Sequence, residues 1–262
     1  FIFLLAVLIL NDFITLPIII SITFIIASFS IFFNPARDSF IPEIIIVKKL
    51  SLANSIMSIS SQISHIIGPF FASIWIALFG FKHLFTLDAF MFIISVLIIS
   101  LINTPFRNRR VNGSNDHIYG IVKGIRYVRS NKGLLILLLL TFINNIFIMG
   151  PAIIGLPVFV KEILKSEFNL YAILESSMAL GMILGSLFFN KIANKMTYYN
   201  ILLLGIIIDG FTFLLLYFIK DSYLSIVLLF LHGIGIPLIT ISRITILQIA
   251  VKDEFRGRLF SL

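Results

Sequence analysis

The chain has 262 residues, 59% of them hydrophobic and 12% charged, with a mean hydropathy of +1.10; a soluble domain carries roughly 25% charged residues, so an ordinary water-soluble globule is excluded. Cys is absent, which excludes disulfide frameworks, thiolate metal sites and cysteine nucleophiles. The net charge of +8 is read as basic cytoplasmic loops rather than as a nucleic-acid surface.

Crossing the hydrocarbon core takes roughly 20 apolar residues. Apolar runs between charges and turn residues predict eight spans, over 1–11, 14–33, 51–80, 82–103, 133–160, 169–190, 200–219 and 222–251. The expected fold class is therefore an all-α membrane protein. Apolar stretches recur along the whole length, so no cleavable targeting segment is visible. The third and eighth runs exceed one crossing, and part of each is expected to tilt or project into the cytoplasm. The chain starts at Phe1 without a Met and stops as a new apolar run begins, and is expected to be a fragment of a longer protein.

The loops after the second, fourth, sixth and eighth spans hold 15 Lys and Arg and the opposite loops hold four, with Arg243 inside the eighth span. By the positive-inside rule, loops 34–50, 104–132, 191–199 and 252–258 are expected to be cytoplasmic, in a multi-pass inner or plasma membrane protein. The segment 104–132 separates four spans (1–103) from four (133–262). Its first half is a polar linker, and its second half places Ile118, Ile121, Val122 and Ile125 at helical spacing opposite Lys123, Arg126 and Arg129. That pattern suits a helix on the membrane surface or a solvated basic linker.

Ionisable groups inside a bilayer cost several kcal/mol unless paired or hydrated, which marks six residues for chemistry. Glu175, beside Ser176 and Ser177 and before Gly181 and Gly185, is read as a proton or cation site or as an interfacial carboxylate; the two glycines permit close helix approach. Asp88 follows a short external loop and favours a structural role. Asp209 falls near the middle of the seventh span, where an unpaired carboxylate is most expensive, and Arg243 is either its partner or an anchor at the end of the eighth span. His65 and His232 are proton relays or packing residues. Asn144 and Asn145 line a polar cavity or bond a neighbouring helix. Gly68-Pro69, Gly150-Pro151, Pro157 and the Gly233, Gly235, Pro237 cluster predict kinked, closely packed helices.

No phosphate loop, dinucleotide fingerprint, HExxH or GxSxG elbow occurs, and the four His are scattered. The chain is expected not to be an enzyme and to need no cofactor or metal. With no nucleotide-binding domain in view, transport would draw on an ion or substrate gradient.

Asn34, Pro35, Ala36, Arg37, then Ile41, Pro42, Glu43, then Leu50, Ala53, Asn54, Ser55 resemble the "NPAR…PE…L..AN" cytoplasmic loop of the major facilitator superfamily branch that includes macrolide-efflux and enterobactin-exporter proteins. Ile67, Gly68, Pro69 are similar to that superfamily's antiporter motif, with Ser64, Ala72 and Ser73 where the motif carries Gly. Arg256, Gly257, Arg258, Phe260, Ser261, Leu262 are similar to the entry of its eleventh helix. The acidic-basic loop motif is reduced to Ala193, Asn194, Lys195, Met196, Thr197. The resemblance implies that the spans are the third to tenth of twelve helices, forming parts of two six-helix halves joined at the linker. It also implies a secondary transporter, coupled to protons and exporting amphipathic small molecules such as macrolides or siderophores by alternating access, as a monomer in the bilayer. A lysophospholipid flippase of the same superfamily is the alternative; a non-transporting membrane protein is a more distant one.

Overall fold

Apolar runs of this length fold as helices because lipid offers no partner for a free N–H or C=O. In a computed structural model, residues 1–11, 13–101, 125–144, 146, 150–166 and 168–251 are described. Among them the helices are α1 (Ile2–Leu10), α2 (Leu16–Ile44), α3 (Leu50–Phe79), α4 (Lys82–Ser100), α5 (Lys132–Asn144), α6 (Gly150–Val158), α7 (Phe168–Ala193), α8 (Tyr198–Phe218) and α9 (Ser222–Ala250). The described residues contain no strand. Residues 125–130 are helical just before α5, whereas 104–124, including most of the expected surface helix, lie outside the described residues.

The ends are set by local chemistry. Thr197 accepts from the Asn200 N–H at 3.4 Å and Asp221 from the Leu224 N–H at 2.8 Å, capping α8 and α9. Gly80, at φ +85°, ends α3 in a conformation open to glycine. Within the run 133–160 the described residues form α5 and α6, with 145 and 147–149 between them outside the described residues, and beyond Pro157 one π-helical turn, Phe159–Ile163, follows.

One expectation is corrected. The segment 34–50 is not a loop: α2 continues through Asn34, Pro35, Arg37, Pro42 and Glu43 to Ile44, and only the 3₁₀ turn Val47–Lys49 separates it from α3. A proline inside a helix deletes a hydrogen bond, but here Ile41 is buried, Arg37 pairs with Asp38 at 2.9 Å, and the acceptor vacated by Pro42 finds another donor (below). Gly68-Pro69 likewise does not interrupt α3, and a Cβ at Gly68 would meet open space. The close packing expected at that glycine is not made by the described residues.

Among the described residues five helices are long and apolar enough to cross a membrane: α2, α4, α7 from Leu170, α8 and α9. Only 6% of the most apolar stretch of α2 and of α4 is buried, against 56% for α9. Helices that apolar and that uncovered require a hydrocarbon solvent. On these helices Ser28, Ser30 and Ser95 each donate to the carbonyl four residues earlier, satisfying their hydroxyls within the helix.

The tightest packing joins α7, α8 and α9. A Cβ on Gly181 would overlap the Phe230 carbonyl oxygen, one on Gly185 the Ile234 carbonyl oxygen, and one on Gly233 the Met178 carbonyl oxygen. Glycine on both sides thus lets α7 and α9 meet backbone to backbone. Leu174, Leu216 and Leu228 fill one end of this bundle, and Phe189, Ile201 and Leu238 the other.

Candidate functional site

Asp209 lies nine residues before the end of α8 and His232 ten residues after the start of α9, so the antiparallel pair brings them level. Asp209 Oδ1 is 3.3 Å from His232 Nδ1, and Thr212 Oγ1 is 3.1 Å from the same nitrogen. All three residues are 4% exposed. The Thr212 hydroxyl donates to the carbonyls of Ile208 and Asp209 at 2.8 and 2.9 Å, so it meets the imidazole as an acceptor. An ionised Asp209 also only accepts. Nδ1 therefore carries a hydrogen when the carboxylate is charged, and Asp209 carries it when Nδ1 is bare. Phe213 sets its ring perpendicular to the imidazole, with centroids 4.5 Å apart, and shields it from water. Chemically this is a one-proton store: with a neutral imidazole and ionised carboxylate its charge is −1, and one added proton makes it neutral, the form a low-dielectric surrounding favours.

Arg243 is not the partner of Asp209. It lines a cavity of about 130 Å³ together with Thr141 and Asn144 of α5, Leu202 and Ile206 of α8, and Ile239 of its own helix.

A second set of polar groups joins the N-terminal helices to the C-terminal ones at the end bearing Lys48, Lys49 and Lys191. Ser51 Oγ donates to Asn190 Oδ1 at 2.9 Å, Asn190 Nδ2 to Ser55 Oγ at 3.2 Å, and Ser58 and Ser186 share a bond of 2.8 Å. Asn54 Nδ2 donates to Thr245 Oγ1 and Gln248 Oε1 at 2.9 and 2.8 Å, and Gln248 Nε2 donates to the Asp38 carbonyl at 3.1 Å. Thr245 and Gln248 are fully buried. Every group in this seam is a hydroxyl, an amide or a main-chain carbonyl.

The remaining residues stand apart. Glu175 is half-buried on α7 and hydrogen-bonded to Tyr171 one turn earlier; Asp88 on α4 and His65 on α3 are exposed. Asn34 and Glu43 are exposed on α2, and Pro35, Arg37 and Pro42 half-buried. Asn145, Arg256, Gly257 and Arg258 lie outside the described residues, as does loop 252–258. The sequence reading missed the seam, although Ser51, Asn54, Ser55 and Ser58 follow the i, i+3, i+4, i+7 pattern of one helical face. It also missed Thr212.

Uncovered apolar helices around a buried acid–imidazole pair define an all-α, multi-pass membrane protein. The model of the Major Facilitator Superfamily matches residues 1–262, and the chain belongs to that family. It is 24% identical over 255 residues to an uncharacterized MFS-type transporter, YfmI, of Bacillus subtilis, covering 94% of this chain and 62% of that protein. It is 22% identical over 234 residues to macrolide efflux protein A of Streptococcus pyogenes, with 88% of this chain and 58% of that protein covered. The form of that protein from Enterococcus faecalis is also 22% identical, with 72% of its length covered. The chain thus spans about three fifths of the first two relatives. No solved structure matches it.

Proposed function

We propose that the chain forms part of a proton-coupled exporter of amphipathic small molecules, of the macrolide or siderophore type, which works by alternating access in the plasma membrane. The observation that carries this reading is the Asp209–His232 pair: a carboxylate and an imidazole sharing one hydrogen deep in an apolar bundle. The names of the macrolide-efflux relatives supply the substrate class.

In this reading, residues 1–103 and 133–262 belong to two helical halves that rock about a cavity, with 104–132 as the cytoplasmic linker. The basic ends at 191–199 and 252–258, and the turn after α2, face the cytoplasm. The seam from Ser51 to Gln248 then closes the cytoplasmic side and parts when that side opens. The pair takes up a proton where it is open to the outside and releases it to the cytoplasm. Its charge of −1 is tolerated only in the conformation that hydrates it, which ties the proton to the rocking motion. The protein acts as a monomer with no cofactor, and Glu175, Asp88 and His65 are secondary coupling positions.

The test is accumulation of a labelled macrolide in efflux-deficient bacteria expressing the complete reading frame, with and without a protonophore. Lower accumulation that the protonophore abolishes is expected. Unchanged accumulation, with the protein shown to be in the membrane, overturns macrolide export and moves siderophores and lysophospholipids forward as substrates.

A further inference from the structure

Thr212 follows Asp209 by three residues on α8, so the two side chains stand about one turn apart on one face of the helix. A threonine inside a helix turns its hydroxyl hydrogen back onto the preceding turn, and here it goes to the carbonyls of Ile208 and Asp209 at 2.8 and 2.9 Å. With that hydrogen engaged, Oγ1 offers only lone pairs to α9. Two acceptors, Thr212 Oγ1 at 3.1 Å and Asp209 Oδ1 at 3.3 Å, thus converge on one nitrogen of the His232 ring, Nδ1.

A neutral imidazole has a single N–H, and its place is set by the hydrogen bonds the two nitrogens make. Nε2 makes no hydrogen bond among the described residues. A hydrogen on Nε2 would therefore leave the Nδ1 lone pair facing two further sets of lone pairs in a buried site, where unmatched polar groups are most costly. A hydrogen on Nδ1 satisfies both acceptors and leaves Nε2 as the bare nitrogen of the ring.

We propose that Thr212 is a positioning residue for the proton store: with Asp209 it holds His232 as the Nδ1–H tautomer, so that Nε2 is the atom at which the coupled proton binds and leaves. On uptake an N–H bond forms at the Nε2 lone pair, the ring becomes imidazolium, and the contacts from Nδ1–H to Oγ1 and Oδ1 become charge-assisted. On release the same bond breaks and the ring returns to the Nδ1–H tautomer. The loaded pair is neutral whether the bridging hydrogen rests on Nδ1 or on Oδ1. A proton arriving on the carboxylate instead would take from Nδ1–H its stronger acceptor, whereas arrival at Nε2 keeps both. The proposal rests on the proton-coupled reading for its purpose and adds to it the atom that carries the proton and the residue that orients it.

The experiment uses the complete transporter, labelled with ¹⁵N at histidine, in phosphatidylcholine bilayers at about pH 8, above the ordinary imidazole range. Nitrogen NMR separates a ring nitrogen that carries hydrogen from a bare one, and the His232 signals are those lost in His232→Gln. The wild type is expected to show Nδ1 with hydrogen and Nε2 bare, the opposite of the tautomer that histidine favours in water. The part played by Thr212 is read in the Asp209→Asn background, where no carboxylate dominates the ring. There Thr212→Val, which removes the oxygen and keeps the shape, is expected to lower the ratio of Nδ1–H to Nε2–H about fivefold, the scale of one neutral hydrogen bond. Thr212→Ser keeps the oxygen and is expected to restore the ratio; should Thr212→Val not fold, Thr212→Ala serves in its place. Hydrogen on Nε2 in the wild type, or a ratio unmoved by loss of the Thr212 oxygen, overturns the proposal, and so does a ratio that Thr212→Ser fails to restore. The tautomer is read without transport: absent proton-driven export with Nδ1–H intact refutes the export reading alone, and export with hydrogen on Nε2 refutes this assignment alone.

Discussion

Gln248 on α9 donates its side-chain N–H to the main-chain carbonyl of Asp38 on α2, at 3.1 Å. In an unbroken helix that carbonyl would accept from residue 42, but residue 42 is proline and has no N–H. Gln248 therefore fills the vacancy that Pro42 creates, while its Oε1 accepts from Asn54 at 2.8 Å. The proline and asparagine of the Pro42…Asn54 motif meet the same glutamine, one through its absence of a donor and the other directly.

Replacing Gln248 with Ala strands the Asp38 carbonyl and one Asn54 hydrogen at once. The expected cost is about 1–3 kcal/mol on the closed side of the seam. Because the chain has no cysteine, a single reporter at Ala53 measures it. Labelling by a maleimide accelerates in Gln248→Ala and Asn54→Ala; an unchanged rate means the seam does not hold that side shut.

The seam contains no titratable side chain, its one acidic residue contributing only the Asp38 carbonyl. Labelling of an Ala53→Cys reporter in the Asp209→Asn background and without substrate, divided by the rate of a free thiol at the same pH so that the ordinary thiolate titration cancels, is therefore expected to be constant between about pH 6 and 8, the range in which histidine charges. A normalised rate that climbs across this range in that background would show a charged group in the latch.

Much of the fold is legible in the sequence because lipid forces apolar length into helices: the runs 169–190, 200–219 and 222–251 lie inside or within a residue of α7, α8 and α9. What failed was local. Proline and asparagine at 34–43 read as a loop, since nothing nearby shows that Gln248, some 200 residues later, supplies the missing hydrogen bond. The site was half visible. Asp209 and His232 could be singled out by cost, and their near-equal distance from the 219–221 turn was the signal that pairs them. That Arg243 and Asn144 line one cavity had no such signal, because it depends on how α5 leans on α8 and α9.

The glycines separate packing from propensity. Gly181→Ala and Gly233→Ala each drive a methyl into a carbonyl of the opposing helix, with an expected loss of about 1–3 kcal/mol or more. Gly68→Ala meets open space within a helix and is expected to gain up to about 1 kcal/mol from helix propensity. Thermal unfolding in detergent ranks the three, and a Gly181→Ala protein as stable as Gly68→Ala would contradict the α7–α9 contact.

Ser242 Oγ is buried with no hydrogen-bond partner among the described residues. Removing it in Ser242→Ala relieves a desolvated hydroxyl and is expected to leave stability unchanged or raise it by about 1 kcal/mol. A clear drop in melting temperature would reveal a partner for that oxygen.

The central claim is that Asp209 and His232 hold the coupled proton. In proteoliposomes loaded with labelled macrolide, Asp209→Asn is expected to abolish accumulation driven by a pH gradient while leaving gradient-free exchange of substrate intact, since the seam and cavity are untouched. Gradient-driven accumulation at the wild-type rate in Asp209→Asn would contradict the account.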